Sequence, residues 1–386
     1  MNPRTSPTEV AVIGGGVIGT SIAYHLARRG AQVTLLEARE IPSAASAASA
    51  GGVRQQGRDL REMPLAIASI ARWEHLEQEL EADVHYFREG HLRVVEDAAQ
   101  RAEAIEWMRA QQAAGLDIRL VEGEDLRELS PGLAPGIAFG TYTANDGHAN
   151  PILTTKAFAA AAEGLGARIH PFTEVRRIQQ QGGRVSGLST TAGDVSCDHL
   201  VLAAGAWSAD LARQLGIELP IEPWAPQMIA TNPMPLLLRQ VVGALGRRLS
   251  LKQIPSGNYV IGGGWPGTVD LERRRSRPWF ASIAGSMVDS SSIFPALRRA
   301  AIERVWVGIE AQAADEVPVL GKIPGVENLT VATGFSGHGF ALSPIVGQLM
   351  SELIVDGDTS VPIEQLSIER FAGRSSPRAP RLRQVG

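Results

Sequence analysis

Val10-Ala11-Val12-Ile13-Gly14-Gly15-Gly16-Val17-Ile18-Gly19 opens the stretch on which the fold turns. The first four residues read as a buried strand. A helical pattern then runs from Val17 to about Arg29. Gln32-Val33-Thr34-Leu35-Leu36 is a second apolar run, and it ends on Glu37. Strand, glycine turn, helix, strand and terminal acid make a complete dinucleotide-binding βαβ unit. Gly14 permits the tight turn, Gly16 lets the backbone approach a pyrophosphate, and Gly19 lets the helix pack closely on the sheet. Val17 and Ile18 open a helix whose first N–H groups and positive dipole end suit phosphate. Glu37, followed by Ala38 and standing 23 residues after Gly14, can accept from ribose hydroxyls and would repel a 2′-phosphate. The unit recognises an ADP half, which NAD and FAD share, so it does not choose between them.

Composition bounds the rest. With 386 residues, 44% of them hydrophobic, the chain can bury a large core and is expected to form about two domains. A net charge of −4 and a pI near 6.1 argue against a large basic surface for nucleic acid. The lone cysteine, Cys197, excludes an intrachain disulfide framework and a cysteine cluster for metal. The histidines show no close metal-ligand spacing. The apolar run behind Met1–Glu9 is the first strand, not a signal-peptide core. No run of about 18 apolar residues points to a spanning helix, and a cytoplasmic location is expected.

Further along, Ser43, Ser46 and Ser49 precede Ala50-Gly51-Gly52 and read as a tight turn with hydroxyls toward a ligand. Met63–Glu81 predicts a helix with Ile67, Ile70, Trp73, Leu76 and Leu80 on one face. His91–Glu96 reads as a strand, Ala98–Gly115 as a helix, Pro131–Pro151 as turns and Pro151–Gly166 as a helix. Arg168–Ile178 and Arg184–Thr190 are expected to pair across Gly182-Gly183, and Val195–Ala204 to be one central strand. Leu329–Ala332 leads through Thr333–Gly339 into a helix Pro344–Val355. Gly262–Gly267 also fits the glycine spacing, but Pro266 lies inside it and no helix follows. It reads as a bulged strand and turn.

Three glycine-rich turns together carry a resemblance: the N-terminal unit, Ala203-Ala204-Gly205-Ala206-Trp207-Ser208, and Gly334-Phe335-Ser336-Gly337-His338-Gly339-Phe340. The chain resembles, over nearly its whole length, the flavoprotein amine oxidoreductases that include D-amino-acid, glycine and sarcosine oxidases. Ser49–Gln56 and Trp306–Glu310 look most like the β (FAD) subunits of opine oxidases, proline or hydroxyproline dehydrogenases, heteromeric sarcosine oxidase and hydrogen cyanide synthase. The implied architecture is α/β, with an α+β second domain: a Rossmann-like FAD-binding domain (1–84, 146–215 and 323–372) and a mixed-sheet substrate domain (85–145 and 216–322). The tail 373–386 is expected to be disordered. The implied FAD contacts are Gly14, Gly16, Val17, Ile18, Gly19, Glu37, Ala38, Ser46, Ser49, Ala50, Gly51 and Gly52 at one end. Val175, Ala204, Gly205 and Trp207 follow, then Gly334, Gly337, His338, Gly339 and Phe340.

The resemblance implies oxidation of a C–N bond: hydride passes from the carbon beside a neutral amine to flavin N5, and the imine hydrolyses. A helix beginning near Ser343-Pro344 would aim its positive end at the flavin ring. Arg54 looks like the arginine that binds the substrate carboxylate in monomeric sarcosine oxidases, and a guanidinium fork suits that task. Surface exposure or a flavin-phosphate contact is its alternative role. Glu310 occupies the segment where glycine oxidases place a carboxylate-binding arginine, so that anchor is lost. Ala341 stands where monomeric sarcosine oxidases carry a lysine. These departures disfavour plain glycine or sarcosine as substrate and leave larger secondary or cyclic amines. Glu310, His338, His148, Lys252, Gln253 and Trp265 are further candidates for the site, and Cys197 reads as core. A flavin-bearing subunit that needs partner subunits, or a hydroxy-acid oxidase on the same scaffold, stands as the alternative.

Overall fold

The computed structural model describes residues 8–373; the N-terminal segment before Thr8 and the tail from Arg374 lie outside them. β1 (Glu9–Ile13) is parallel to β2 (Gln32–Leu36) on one side and to His199–Leu202 on the other, with Val12 facing Leu35 and Val201. The helix α1 (Val17–Arg28) makes the crossover. The sheet runs Val319–Lys322, Leu329–Thr333, His199–Leu202, β1, β2, Arg168–His170. Its first strand is antiparallel to its neighbour and the other pairings are parallel.

The two-residue strand period divides the core. Val10, Val12, Val33 and Leu35 pack under α1 and the helices Met63–Trp73, Pro151–Gly164 and Gly339–Val355. Ala11, Ile13 and Leu36 face a small antiparallel sheet that contributes Ile178, Val185 and Leu188. Burial of both faces explains why these strands are almost wholly apolar.

Several expectations shift. Arg168–His170 joins β2 in parallel, and only Val175–Gln181 pairs with Arg184–Thr190. The turn between those two strands holds Gly182 and Gly183 at φ 58° and 77°, as a tight hairpin needs. Val195–Ala204 is broken at Cys197-Asp198: Gly193–Ser196 ends the small sheet and His199–Leu202 starts in the large one. Cys197 is buried there, and burial pushes its thiol up to about 11. The helix expected over Met63–Glu81 stops at Trp73 and resumes as Leu76–Glu79. Ser43–Ser49 is not a simple turn, because Ala44–Ala48 form a short helix.

A second, mixed sheet has eight strands, in the order Ile302–Val307, Gln227–Thr231, Tyr259–Gly262, Ser250–Gln253, Val241–Ala244, His91–Val95, Phe139–Thr143 and Arg119–Glu122. Phe139–Thr143 was expected as turns. Its Gly140 lies where a Cβ would stand 2.8 Å from the Arg93 carbonyl, so the strand needs a residue of poor strand propensity. One face, with Leu92, Val94, Val242, Leu251, Tyr259 and Ile261, packs against Phe294 and Leu297. Alternation puts His91, Arg93, Thr141, Thr143 and Lys252 on the opposite face. Val319–Lys322, inside the range expected for the second domain, is an edge strand of the first sheet. No helix among the described residues is long and apolar enough to cross a membrane.

Candidate active site

The carboxyl ends of four neighbouring strands deliver Gly14, Glu37, Ala203-Ala204 and Gly334 to one edge of the first sheet, where parallel sheets bind ligands. Gly14 has φ 114°, and a Cβ on it would lie 2.3 Å from the Ala203 carbonyl oxygen. A Cβ on Gly19 would lie 1.9 Å from the Gly14 carbonyl oxygen. Side chains at either place would push turn, helix and strand apart. Glu37 accepts the Gly15 N–H at 2.7 Å, the Arg39 N–H at 2.9 Å and the Ser43 hydroxyl at 3.2 Å. Ser46 Oγ accepts the Val17 N–H at 2.9 Å, and Ser49 Oγ accepts the Gly51 N–H at 3.0 Å.

A cavity of about 500 Å³ runs from this cradle to the polar face of the second sheet. Gly14, Gly16, Val17, Ile18, Glu37, Ala38, Ser46 and the Ser49–Gly52 segment line it, as do Val175, Ala204, Gly205 and Trp207. Gly334, Gly337, His338, Gly339 and Phe340 close the other end, with Arg54 and Glu310. Gly19 stands apart from the wall, under the turn.

The last helix starts earlier than expected. It runs Gly339–Val355 and carries Pro344 inside it. Proline leaves the Phe340 carbonyl without its helical donor, and the Ser343 hydroxyl donates to it at 2.9 Å. Neighbouring side chains take two more carbonyls of this turn: Ser69 Oγ and Trp73 Nε1 donate to Ala341 O, and Ser21 Oγ donates to Ser343 O. Thus the positive helix end is at His338-Gly339, on the cavity wall, and not at Ser343-Pro344.

Five ionisable side chains gather at this end. Arg54 Nη1 donates to the Gln56 carbonyl at 2.6 Å. Arg58 is fully buried; its Nε donates to the Arg54 carbonyl, while Nη1 has no partner among the described residues. Glu310 accepts the Gly337 N–H at 2.7 Å, and burial pushes its carboxyl up to about 7 against the pull of that N–H and Arg58. His338 Nδ1 lies 3.0 Å from Glu62 Oε2. Burial and Arg58 outweigh Glu62 and push the imidazole down to about 4, so it is neutral at pH 7.

Other residues lie elsewhere or act structurally. Gln55 and Gln56 tie their segment to Asp146, and Gln56 also to Thr141 and Thr143 of the second sheet. Gln253 is spent on the loop carbonyls of Met234, Pro235 and Gly257. Trp265 donates to Asp289. His148 packs on Phe87, and burial, then Lys252, pushes its ring down to about 3. Lys252 Nζ stands 3.1 Å from the Cβ position of Gly51, and burial pushes the ammonium down to about 7. Sequence reasoning missed Arg58, Glu62, His91, Arg93 and Asp146. The alternation His91-Leu92-Arg93-Val94 was the one available signal, since it puts an imidazole and a guanidinium on a single face of a strand.

The described residues fit the FAD that the resemblance implies. The Gly14 turn admits close backbone approach, α1 opens on the cavity, and Glu37 bars a 2′-phosphate. The chain from residue 9 to residue 353 matches the family model "FAD dependent oxidoreductase". It is 30% identical to a glycine oxidase of Geobacillus kaustophilus, over 95% of this chain and 98% of that one. Identity to a 4-methylaminobutanoate oxidase (formaldehyde-forming) of Paenarthrobacter nicotinovorans is 27%, over 98% of this chain; the chain spans about half of that relative, 47% of its length. The solved L-proline dehydrogenase from P. horikoshii superposes with a TM-score of 0.88 at 29% identity, over 95% of this chain and 98% of that one. The chain belongs to the family of FAD dependent oxidoreductases and is an FAD-dependent amine or amino-acid oxidoreductase.

Proposed function

We propose that the substrate is an N-substituted or cyclic amino acid, in the range from opines through proline and hydroxyproline to sarcosine-like N-methyl acids, oxidised at its C–N bond. One observation carries this reading. Arg54 and Arg58 lie side by side on the cavity wall, and neither has a carboxylate partner among the described residues. Buried guanidinium donors left over in a cavity suit a carboxylate brought by the ligand. Relatives named for proline and 4-methylaminobutanoate, a cyclic and an N-methylated amino acid, support the class.

Bound FAD supplies the hydride acceptor. The chain does the rest. The Gly14–Gly19 turn and α1 would hold the pyrophosphate, and Glu37 would accept from the ribose hydroxyls. The Ser49–Gly52 and Gly334–Phe340 segments line the cavity and would wall the ring and keep water out. Arg54 clamps the carboxylate and so orients the carbon that gives up hydride. That carbon yields hydride only beside a neutral amine, and the Glu310 carboxylate takes the ammonium proton. The Glu62–His338 contact fixes the imidazole orientation at the end of the cavity.

Anaerobic addition of sarcosine, D- and L-proline, hydroxyproline, glycine and opines to the yellow holoprotein tests the reading. Bleaching of the flavin band by a secondary amine supports it, and bleaching only by glycolate or lactate, added in a parallel titration, overturns it. Turnover with oxygen by the isolated chain would exclude an obligatory partner subunit; reduction without reoxidation would call for one.

A further inference from the structure

Arg54 and Arg58 come from the segment after Gly52–Val53, whereas Arg93 comes from the second sheet. Arg54 Nη1 and Arg93 Nη1 stand 3.1 and 3.7 Å from the Cβ position of Gly57. Glycine at 57 therefore leaves open a space that any other residue would fill between two guanidinium groups. Gly57, His91, Arg54 and Arg58 all line the cavity here. Arg58, His91 and Arg93 are only 1%, 5% and 6% exposed. Each keeps a buried nitrogen without a partner among the described residues: Arg58 Nη1, His91 Nδ1 and Arg93 Nε.

Two nearby acids are occupied, and Glu103, which also acts on Arg93, makes no ion pair with it among the described residues. Asp146 accepts from the Gln55 N–H, the Gln55 side-chain amide and the Gln56 N–H. Glu62 is engaged by His338. A single ligand carboxylate on Arg54 and Arg58 would leave the Arg93 and His91 nitrogens unmet, and buried donors without partners are disfavoured.

We infer that the substrate carries a second acidic group: one carboxylate is held by Arg54 and Arg58, and the other, on the opposite arm of the amine, by Arg93 and His91 over Gly57. The substrate class is then a secondary amine dicarboxylate. This rests on the amino-acid reading above, and the two are separable by experiment.

The first measurement is calorimetric titration of the holoprotein with glutarate and, separately, with butyrate. Neither contains an amine, so the result is independent of the oxidation chemistry. Glutarate should bind at least about tenfold more tightly than butyrate. The second is anaerobic flavin reduction by N-(carboxymethyl)-, N-(2-carboxyethyl)- and N-(3-carboxypropyl)glycine, each against the N-alkylglycine of equal length. At least one diacid should reach half-reduction at tenfold lower concentration than its monoacid. In Arg93→Met the diacid-to-monoacid preference should fall about tenfold, and Arg93→Lys should restore part of it. Equal binding of glutarate and butyrate with equal reduction within every pair overturns the second subsite and leaves the amino-acid reading intact. Tight glutarate binding with no reduction by any amine overturns the amine chemistry and keeps the two-anion site. The ligand pairs decide the matter in the unmodified protein, so a failure of Arg93→Met to fold does not remove the test.

Discussion

Glu310→Gln tests the proton step at Glu310. Gln keeps the shape and can still accept the Gly337 N–H, now made by the carboxylate at 2.7 Å, so the loop should persist. The carboxyl is pushed up to about 7 from an ordinary 4.5 by burial. Ionising it in the folded chain therefore costs about 3 kcal/mol. The sign follows from the raised value. Between pH 4.5 and 7 the folded chain holds a proton that the unfolded chain has released, so wild-type stability falls as pH rises through that window. Glu310→Gln lacks this loss, and at pH 8 should exceed wild type by up to about 3 kcal/mol in urea unfolding, while near pH 4.5 the two converge. For catalysis the order reverses. Wild-type kcat/KM should climb about tenfold per pH unit below 7 and level off above it, as the base becomes available. The variant should lose that limb, with kcat/KM at pH 8 down by about 10²- to 10⁴-fold. A Glu310→Gln enzyme with the wild-type pH profile and rate would refute the assignment of the proton to Glu310. Equal unfolding energies at pH 8 would refute the costly ionisation of this half-buried carboxyl.

Arg54→Ala should raise KM or slow flavin reduction for carboxylate substrates by about tenfold to several-hundredfold, the worth of one or two charge-assisted hydrogen bonds; flavin content should stay that of wild type, and unchanged kinetics with the true substrate would remove Arg54 from the site. Gly19→Ala places a methyl where only 1.9 Å separates it from the Gly14 carbonyl oxygen, so the purified protein should lose most of its flavin absorbance, and a fully yellow variant would contradict the close approach. Ser343→Ala strips the Phe340 carbonyl of its donor above Pro344 and should cost about 1 kcal/mol in urea unfolding, with no loss pointing to another donor.

What could be read from the sequence is what local chain chemistry controls. Gly14, Gly16, Gly19 and Glu37 belong to one turn, one helix and two adjacent strands, and their spacing alone fixes their relation. The same holds for Ser49–Gly52 and Gly334–Phe340, which bring their own backbone to the cavity. Helix termini were less legible. The rule that proline sits in a first helical turn placed the last helix at Ser343-Pro344, but the Ser343 hydroxyl satisfies the Phe340 carbonyl that Pro344 leaves without a donor, and Ser69, Trp73 and Ser21 hold other carbonyls of that turn. The helix therefore begins at Gly339. Gly140 hid a strand because its small size, required by the Arg93 carbonyl, reads as a turn.

The order strand, glycine turn, helix, strand and acid was determined by sequence, since each piece needs only neighbours a few residues away to take shape. So was the class of cofactor that such a cradle holds. The tertiary structure alone decided which buried nitrogens gather near Gly57. Arg58 follows the short strand Gly52–Val53, whereas His91 and Arg93 lie on a strand of the second sheet, and no periodicity links positions 58 and 93. Only the packing of the second sheet's polar face against the segment after Val53 removes them from water together, and burial leaves Arg58 Nη1, His91 Nδ1 and Arg93 Nε without partners among the described residues.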